Sequence, residues 1–250
     1  MKRNDNFFLT LLLAVLLTLS ATTAKAQDAD DILRRVDRNL YPESMQMFYR
    51  VLHRTPNLEK SWMTIYLAHK KGNHTVALII GPNELKGRTA MRDGDLIWMH
   101  VPGEMALREA TLDKSFLGGV FTNADIFRQE FHLEYTPTLL EVTPDHFLLS
   151  LAPKKPTSPY SKIVMKVHRK LYVPMESTYY GGSGYPTKQF RYKAIRELSP
   201  ELIRPSMIEA VNSTNPGYIS IMRIGTLEAR ELPDSAFTKE SLPRVGTLLK

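Results

Sequence analysis

The strongest constraint on the fold is a two-residue alternation of apolar and polar side chains that persists through most of the chain. Thirteen short segments between Gln46 and Leu227 show this period, and turn-forming residues separate them. A period of two is typical of β-strands, whose successive side chains point to opposite faces. Short turns between neighbouring strands favour antiparallel pairing. The pattern therefore predicts a mainly β protein built as a long antiparallel meander.

Two segments show helical rather than alternating spacing. Between Asp28 and Leu40 apolar residues recur at every third or fourth position, and aspartates at the start suit a helix N-terminus. A second helix is predicted from Thr122 to Phe131, with Asn123 as its N-cap. Because the first helix has a single apolar stripe, we expect it to lie on another surface of the protein.

The first 26 residues have the three-part organisation of a secretory signal peptide. Lys2 and Arg3 precede an apolar run from Phe7 to Leu19, and the small residues of the Ala24-Lys25-Ala26 stretch follow. The run covers 13 residues, whereas a helix that spans a bilayer needs about 20. We therefore expect export, cleavage after Ala26, and one mature domain formed by residues 27–250.

Composition excludes several classes of function. The chain contains no cysteine, so disulfides, thiolate metal ligands and a thiol nucleophile are excluded. Its formal net charge is +7, and the first 26 residues, with three basic side chains and one acidic, account for +2 of it. Basic residues are scattered, so no nucleic-acid partner is expected. A mildly cationic surface leaves two interpretations open, contact with anionic lipid headgroups or ordinary solvated charge.

Residues suited to catalysis or metal binding do not form a recognisable motif. The seven histidines are far apart, and His132-x-Glu134 is the nearest approach to a ligand pair, so no metal site is expected. The stretch Gly182-Ser183-Gly184 differs from the nucleophile elbow, which places G-x-S-x-G between a strand and a helix. We interpret it as a hairpin loop. The sequence thus predicts a protein that is not an enzyme and uses no cofactor.

Several predicted strands carry large apolar residues on both faces, among them the segments around Ile65, Trp98 and Leu149. An antiparallel sheet with one face in water should alternate cleanly. Two explanations stay open. The sheet either packs between a core and a covering element, such as the first helix, or curves strongly and leaves an apolar cavity beneath its helices. Eleven methionines are in keeping with the cavity, because flexible thioethers suit varied apolar ligands.

Motifs along the chain resemble the outer-membrane lipoprotein-sorting family, and more narrowly the LolA-like periplasmic proteins. They are ADDILRRVD in the first helix, LKGRT and DGDLIWMHVP in the meander, and FLGGVFTNADI before the second helix. The chain departs from the family pattern where GGVFT replaces a stretch close to GSDFS, and where a basic cluster is reduced to Arg108. Arg50, Arg88 and Arg92 are all candidates for the family's functional arginine, and we assign none of them.

The resemblance implies a strongly curved antiparallel half-barrel, an incomplete β-barrel covered by helices. Its apolar cavity would receive the acyl chains of lipoproteins or lipids in the periplasm. Transfer would occur without covalent chemistry, from an inner-membrane export permease to an outer-membrane acceptor, with only peripheral or transient membrane contact. The alternative is an envelope lipid or lipoprotein sensor, an interaction module of the same fold that regulates a partner protein.

Burial of acyl chains in such a cavity is favoured by about 0.8 kcal/mol per methylene. The residues expected to line it share large apolar side chains in the predicted strands. They are Trp62, Ile65, Leu78, Ile80, Trp98, Met99, Phe147 and Leu149.

Overall fold

The computed structural model describes residues 24–41, 44–57, 60–70, 74–199 and 202–249. Thirteen strands are present: β1 Ser44–Arg54, β2 Lys60–Lys70, β3 His74–Gly81, β4 Thr89–Asp93, β5 Leu96–His100, β6 Arg108–Thr111, β7 Tyr135–Val142, β8 His146–Pro153, β9 Lys162–His168, β10 Pro174–Tyr180, β11 Pro186–Ser199, β12 Leu202–Asn212 and β13 Ile219–Ala229. The α-helices are α1 Ala24–Leu40, α2 Asn123–Ile126, α3 Phe131–Glu134 and α4 Val245–Leu248, and 3-10 helices span Asp234–Ala236 and Lys239–Arg244.

All thirteen strands belong to one antiparallel sheet with the order β6-β5-β4-β3-β2-β1-β13-β12-β11-β10-β9-β8-β7. The first half, β1 to β6, and the second half, β7 to β13, are each a simple meander, and pairing of β1 with β13 joins them. Since β6 and β7 are the two edges, the sheet is not closed into a barrel. The predicted fold class, a helix-covered antiparallel half-barrel, is confirmed.

Each of the thirteen predicted strands overlaps an observed one, but the prediction of a helix from Thr122 to Phe131 is wrong. The segment forms two single-turn helices, α2 and α3, with irregular chain between them. Thr122 is the N-cap of α2, and the backbone N–H of Thr122 donates a hydrogen bond to the Asp125 carboxylate at 2.8 Å. The side chain of Asn123, the predicted cap, donates instead to the Thr111 carbonyl at 2.9 Å.

The main core lies on one face of the sheet, called here the inner face. Alternate residues of strands in both halves point into it, for example Ile65 of β2 and Met165 of β9. Helix α1 contributes Leu33 and Val36, and both side chains are fully buried. The apolar stripe of α1 thus packs on the sheet, as its helical spacing predicts.

A second core lies on the opposite, outer face of the first half. Residues 231–249, the C-terminal segment, lie over strands β2 to β5 there and bury Leu242 and Val245 completely. The strand residues beneath it include Tyr66 and Val76, whose sequence neighbours face the inner core. Both faces of the sheet are therefore covered at β2 to β5.

The predicted signal peptide lies mostly outside the described residues. Helix α1 begins at Ala24, so the expected cleavage site falls in its first turn, and cleavage after Ala26 stays a prediction. None of the helices in the described part of the chain has the length and apolar character needed to cross a bilayer.

Candidate functional site

Helix α1 is held on the inner face by polar contacts at its C-terminal end. The Asn39 amide donates to the carbonyl of Leu171 at 2.9 Å. Arg204 of β12, itself buried, donates to the carbonyl of Leu40 at 2.9 Å and so supplies a partner for an otherwise unpaired helix-end carbonyl. These contacts fix α1 against the second half of the sheet.

Residues 112–134, the crossing segment, run over the inner face from edge strand β6 to edge strand β7. Asp125 of this segment forms an ion pair with Lys188 of β11, and both side chains are almost completely buried. Asp125 also accepts hydrogen bonds from the Tyr160 hydroxyl at 3.0 Å and from Arg128 at 3.2 Å. Buried charges of opposite sign thus tie the segment to the second half.

Arg128 lies among aromatic rings inside this cluster. Its guanidinium donates to the Tyr179 hydroxyl at 2.9 Å and lies 4.5 Å from the centroid of the Phe131 ring, a cation–π contact. Arg128 itself lies in the irregular chain between α2 and α3. We infer that these contacts, which local helix propensity cannot anticipate, break the single helix expected from the sequence.

The electrostatics of the cluster follow from its burial. Burial raises the pKa of the Asp125 carboxyl, but Lys188 and Arg128 outweigh it and hold that pKa below its usual value. Burial lowers the pKa of Lys188, and the Asp125 carboxylate offsets this only in part. Removal of the carboxylate would therefore leave two cations in a dry interior.

Arg92 ties the crossing segment to the first half. Its buried guanidinium donates to Glu134 at 2.6 Å and to the Phe127 carbonyl at 3.3 Å. Of the other two candidate arginines, Arg88 lines a cavity described below and Arg50 is exposed on the outer face. Glu134 of the short motif His132-x-Glu134 thus pairs with Arg92.

His132 belongs to a different group, in which ligand atoms of Asp37, Glu130 and His132 lie within 4.8 Å of one another. Both oxygens of Asp37 are engaged, because they accept the backbone N–H groups of Phe131 and His132 at 2.8 Å. We assign the group a structural role, in which α1 holds the first turn of α3.

A small contact, called here the latch, fastens the crossing segment to the junction of the two halves. The backbone N–H of Val120 donates to the Ser220 hydroxyl at 2.8 Å, and Nδ1 of His53 lies 2.8 Å from the same oxygen. A Cβ at Gly119 would lie 1.9 Å from the His53 ring, so only glycine allows this approach. Burial lowers the pKa of His53, which favours the neutral ring.

An apolar cavity of about 170 Å³ lies between the first half and the crossing segment. Strands contribute Ala77, Ala90 and Met99, and the crossing segment contributes Phe116 and Leu117. The polar lining consists of Arg88, Thr89, His100 and Arg108, and Arg108 forms an ion pair with Glu104. Since Arg108 is exposed and Arg88 half-buried, these groups lie where the cavity meets solvent.

The predicted cavity residues lie on both faces of the sheet. Ile65, Phe147 and Leu149 belong to the inner core, as does Met99, which also lines the cavity. Leu78 and Trp98 pack against the outer core beneath the C-terminal segment, and Ile80 is exposed. Trp62 lies in β2, but its side chain is outside the described residues.

Sequence reasoning missed the charged cluster, although one signal of it was present. In β11 the residues Lys188, Phe190 and Tyr192 are all buried, while Gln189 and Arg191 between them are exposed. Lys188 therefore occupies an inward position of the alternation, and a lysine is rarely fully buried without a partner. Ser183 is exposed in the turn between β10 and β11, so its interpretation as part of a hairpin loop is confirmed.

One known protein family matches most of the chain. A family model with the description "-like: Uncharacterized protein" matches residues 71–244, which include β3 to β13, the crossing segment and most of the C-terminal segment. The chain belongs to this family. No curated protein matches the sequence.

Solved structures with the same architecture place the family in a wider fold group. The LolA superfamily protein NE2245 from Nitrosomonas europaea has a TM-score of 0.77 at 24% identity, covering 85% of this chain and 98% of that one. A putative outer membrane lipoprotein-sorting protein domain from Vibrio parahaemolyticus has a TM-score of 0.76 at 17% identity, covering 88% and 100%. A DUF1329 family protein from Desulfovibrio piger has a TM-score of 0.74 at 16% identity, covering 87% and 99%. The resemblance seen in the sequence motifs is confirmed at the level of the fold.

Proposed function

We propose that residues 27–250 act as a periplasmic carrier that binds acyl chains of lipoproteins or lipids on the inner face and moves them without covalent chemistry. The observation that carries the proposal is the apolar cavity beneath Phe116 and Leu117, with basic groups at its rim. Apolar walls suit a hydrocarbon tail, and the guanidinium of Arg88 at the rim suits an anionic or ester-bearing head.

The size of the cavity defines what the carrier must do. An apolar cavity of about 150 Å³ holds a ring the size of benzene, so about 170 Å³ admits only the end of an acyl chain. A whole chain requires the latch to open, so that the crossing segment leaves the inner face from β6 to Val120. The contacts of Phe116 and Leu117 in that stretch are apolar, and acyl chains provide a chemically equivalent replacement for them.

The resemblance to the lipoprotein-sorting family implies the transfer partners. An inner-membrane permease would supply the acylated cargo, and an outer-membrane acceptor would take it by offering a drier or larger apolar site. The carrier itself would touch membranes only transiently.

The test is to fill the cavity and measure acyl binding. Ala90→Leu adds three carbons to its wall, and Ala152→Leu adds the same atoms at an exposed position of β8. Titration with a dansylated fatty acid, followed by fluorescence, should give a dissociation constant about tenfold higher for Ala90→Leu, as expected if about 1.4 kcal/mol is lost. Ala152→Leu should bind like the unaltered protein.

Two results would contradict the proposal. One is equal binding by Ala90→Leu and Ala152→Leu, provided that both melt as cooperatively as the unaltered protein. The other is a protein that ignores the fatty acid and carries no lipid or acylated peptide in native mass spectra after purification from envelope extracts.

A further inference from the structure

A second candidate site lies on the outer face, where the two halves of the sheet meet. Arg50 of β1 and Arg223 of β13 are directly opposite each other in the antiparallel register, and both are exposed. Side chains at such positions have Cβ atoms about 4.5–5.5 Å apart, and like charges there destabilise the sheet. The arrangement brings two guanidinium groups to one spot at a cost to stability.

The described carboxylates do not relieve this repulsion. Within the ranges that the structure describes, neither Arg50 nor Arg223 takes part in an ion pair. Two acidic residues lie on the neighbouring part of this face. Glu209 contacts Arg191 at 3.2 Å and Lys193 at 3.0 Å through its two oxygens. Glu228 accepts a hydrogen bond at 2.7 Å from Gln46, to which Arg230 also donates at 2.9 Å. The surroundings of the arginine pair therefore carry a net positive charge.

The arginines line a groove of about 310 Å³ at a β-bulge. The register between β1 and β13 shifts between Met47 and Tyr49. Such a bulge disrupts the hydrogen-bond ladder between the strands and changes the direction of the side chains. Thr64 of β2, opposite Arg50 in the register, adds a hydroxyl to the groove, and partly exposed Phe48 adds an apolar wall. A Cβ at Gly225 would lie 3.4 Å from the Phe48 carbonyl oxygen, so a side chain there would narrow the groove.

We propose that this groove binds a phosphate group that is linked to an apolar substituent. Two planar guanidinium forks and one hydroxyl supply donors for the several oxygens of a tetrahedral phosphate, and the Phe48 ring packs against the adjoining apolar part. A phospholipid headgroup and a soluble phosphate compound share this chemistry. The site lies on the face opposite the acyl cavity and does not depend on the proposed carrier function.

The experiment compares Arg50→Gln/Arg223→Gln with Lys162→Gln/Lys170→Gln, which removes the same charge from exposed positions at β9 and the turn after it. Binding to phosphatidylglycerol vesicles, to vesicles of a phosphate-free glycolipid and to inorganic phosphate is measured by flotation and calorimetry. We expect the arginine variant to bind phosphatidylglycerol vesicles at least tenfold more weakly than the lysine variant, with little binding of the glycolipid by either.

The vesicle and inorganic phosphate measurements distinguish a phospholipid from a soluble phosphate compound as the ligand. An arginine-dependent loss with inorganic phosphate, and not with vesicles, would support the site and identify a soluble ligand. Equal losses in the arginine and lysine variants, or no loss with either phosphate source, would overturn the proposal.

A charge reversal distinguishes a binding role from a structural one. Arg50→Glu converts the repulsive pair into an attractive one, so the melting temperature should rise by about 1–4 °C while phosphate binding is lost. A lower melting temperature with phosphate binding retained would show that the arginines serve the sheet and not a ligand.

Discussion

The two halves of the sheet are built from similar meanders but are buried differently. In the first half, β2 to β5 have the inner core on one face and the C-terminal segment on the other. In the second half the outer face is open: in β9, Ile163, Met165 and Val167 are buried, and the lysines between and before them are not. Strand β9 alternates cleanly because one of its faces is wet, and strands β2 to β5 do not because neither of their faces is.

This difference bears on the two explanations that the sequence leaves open for strands with large apolar residues on both faces. Apolar residues on both faces of β2 and β5 are accounted for by a covering element, and that element is the C-terminal segment rather than α1. The cavity is a separate feature of the inner face, where the crossing segment lies on the first half. The covering element thus accounts for the outer face of β2 to β5, and the use of the inner-face cavity belongs to the proposed function.

The largest expected effect concerns the attachment of the crossing segment to the second half. Asp125→Ala leaves Lys188 and Arg128 buried without their carboxylate. Loss of one partner of a buried pair costs about 3–5 kcal/mol, and urea unfolding should show a decrease in the free energy of unfolding of that size.

Asp31→Ala is the matched control, since Asp31 pairs with Arg35 on the exposed side of α1. An exposed pair of this spacing contributes about 0.2–0.5 kcal/mol. Comparable losses in the two variants would show that burial does not distinguish the Asp125 cluster.

The next prediction concerns the C-terminal segment, which covers the outer face of β2 to β5. Leu242→Ala removes a fully buried side chain from the C-terminal segment, which should lower the free energy of unfolding by about 2–5 kcal/mol. Leu140→Ala removes the same atoms from an exposed position on β7, in the second half, and should change it by no more than about 0.5 kcal/mol. Equal effects would remove the contrast between the halves.

A smaller effect should appear on acidification, at the junction of the halves. Burial lowers the pKa of His53 in the folded protein, whereas a histidine in the unfolded chain has a pKa near 6.5. Because the unfolded chain then binds more protons, stability is lost as the pH falls through about 6.5 and below.

Hydrogen exchange of the Val120 amide, measured between about pH 7.5 and 5.5 and corrected for intrinsic rates, reports this change locally. Protection should fall with pH in the unaltered protein, and His53→Gln should flatten the dependence. His146→Gln, in the second half, should leave it intact. A pH dependence that survives His53→Gln would assign the effect to another group.

The strands and α1 could be predicted from the sequence because their information is local. Period two and turn residues locate all thirteen strands, and apolar spacing locates α1. The path of the crossing segment could not be predicted, because Asp125 and Arg128 find Lys188 and Tyr179 only after the strands have assembled. The C-terminal segment was missed for the same reason: its short helices have no lasting period, and Leu242 acquires its role from the sheet beneath it.

The central claim is that the crossing segment leaves the inner face to admit an acyl chain. Cysteines at positions 120 and 220 replace the latch with a disulfide, and the chain contains no other thiols. Titration of Val120→Cys/Ser220→Cys with a dansylated fatty acid should show tight binding when reduced and at least tenfold weaker binding when oxidised, while either single variant is indifferent to oxidation. Equal binding in the oxidised and reduced forms would contradict the claim.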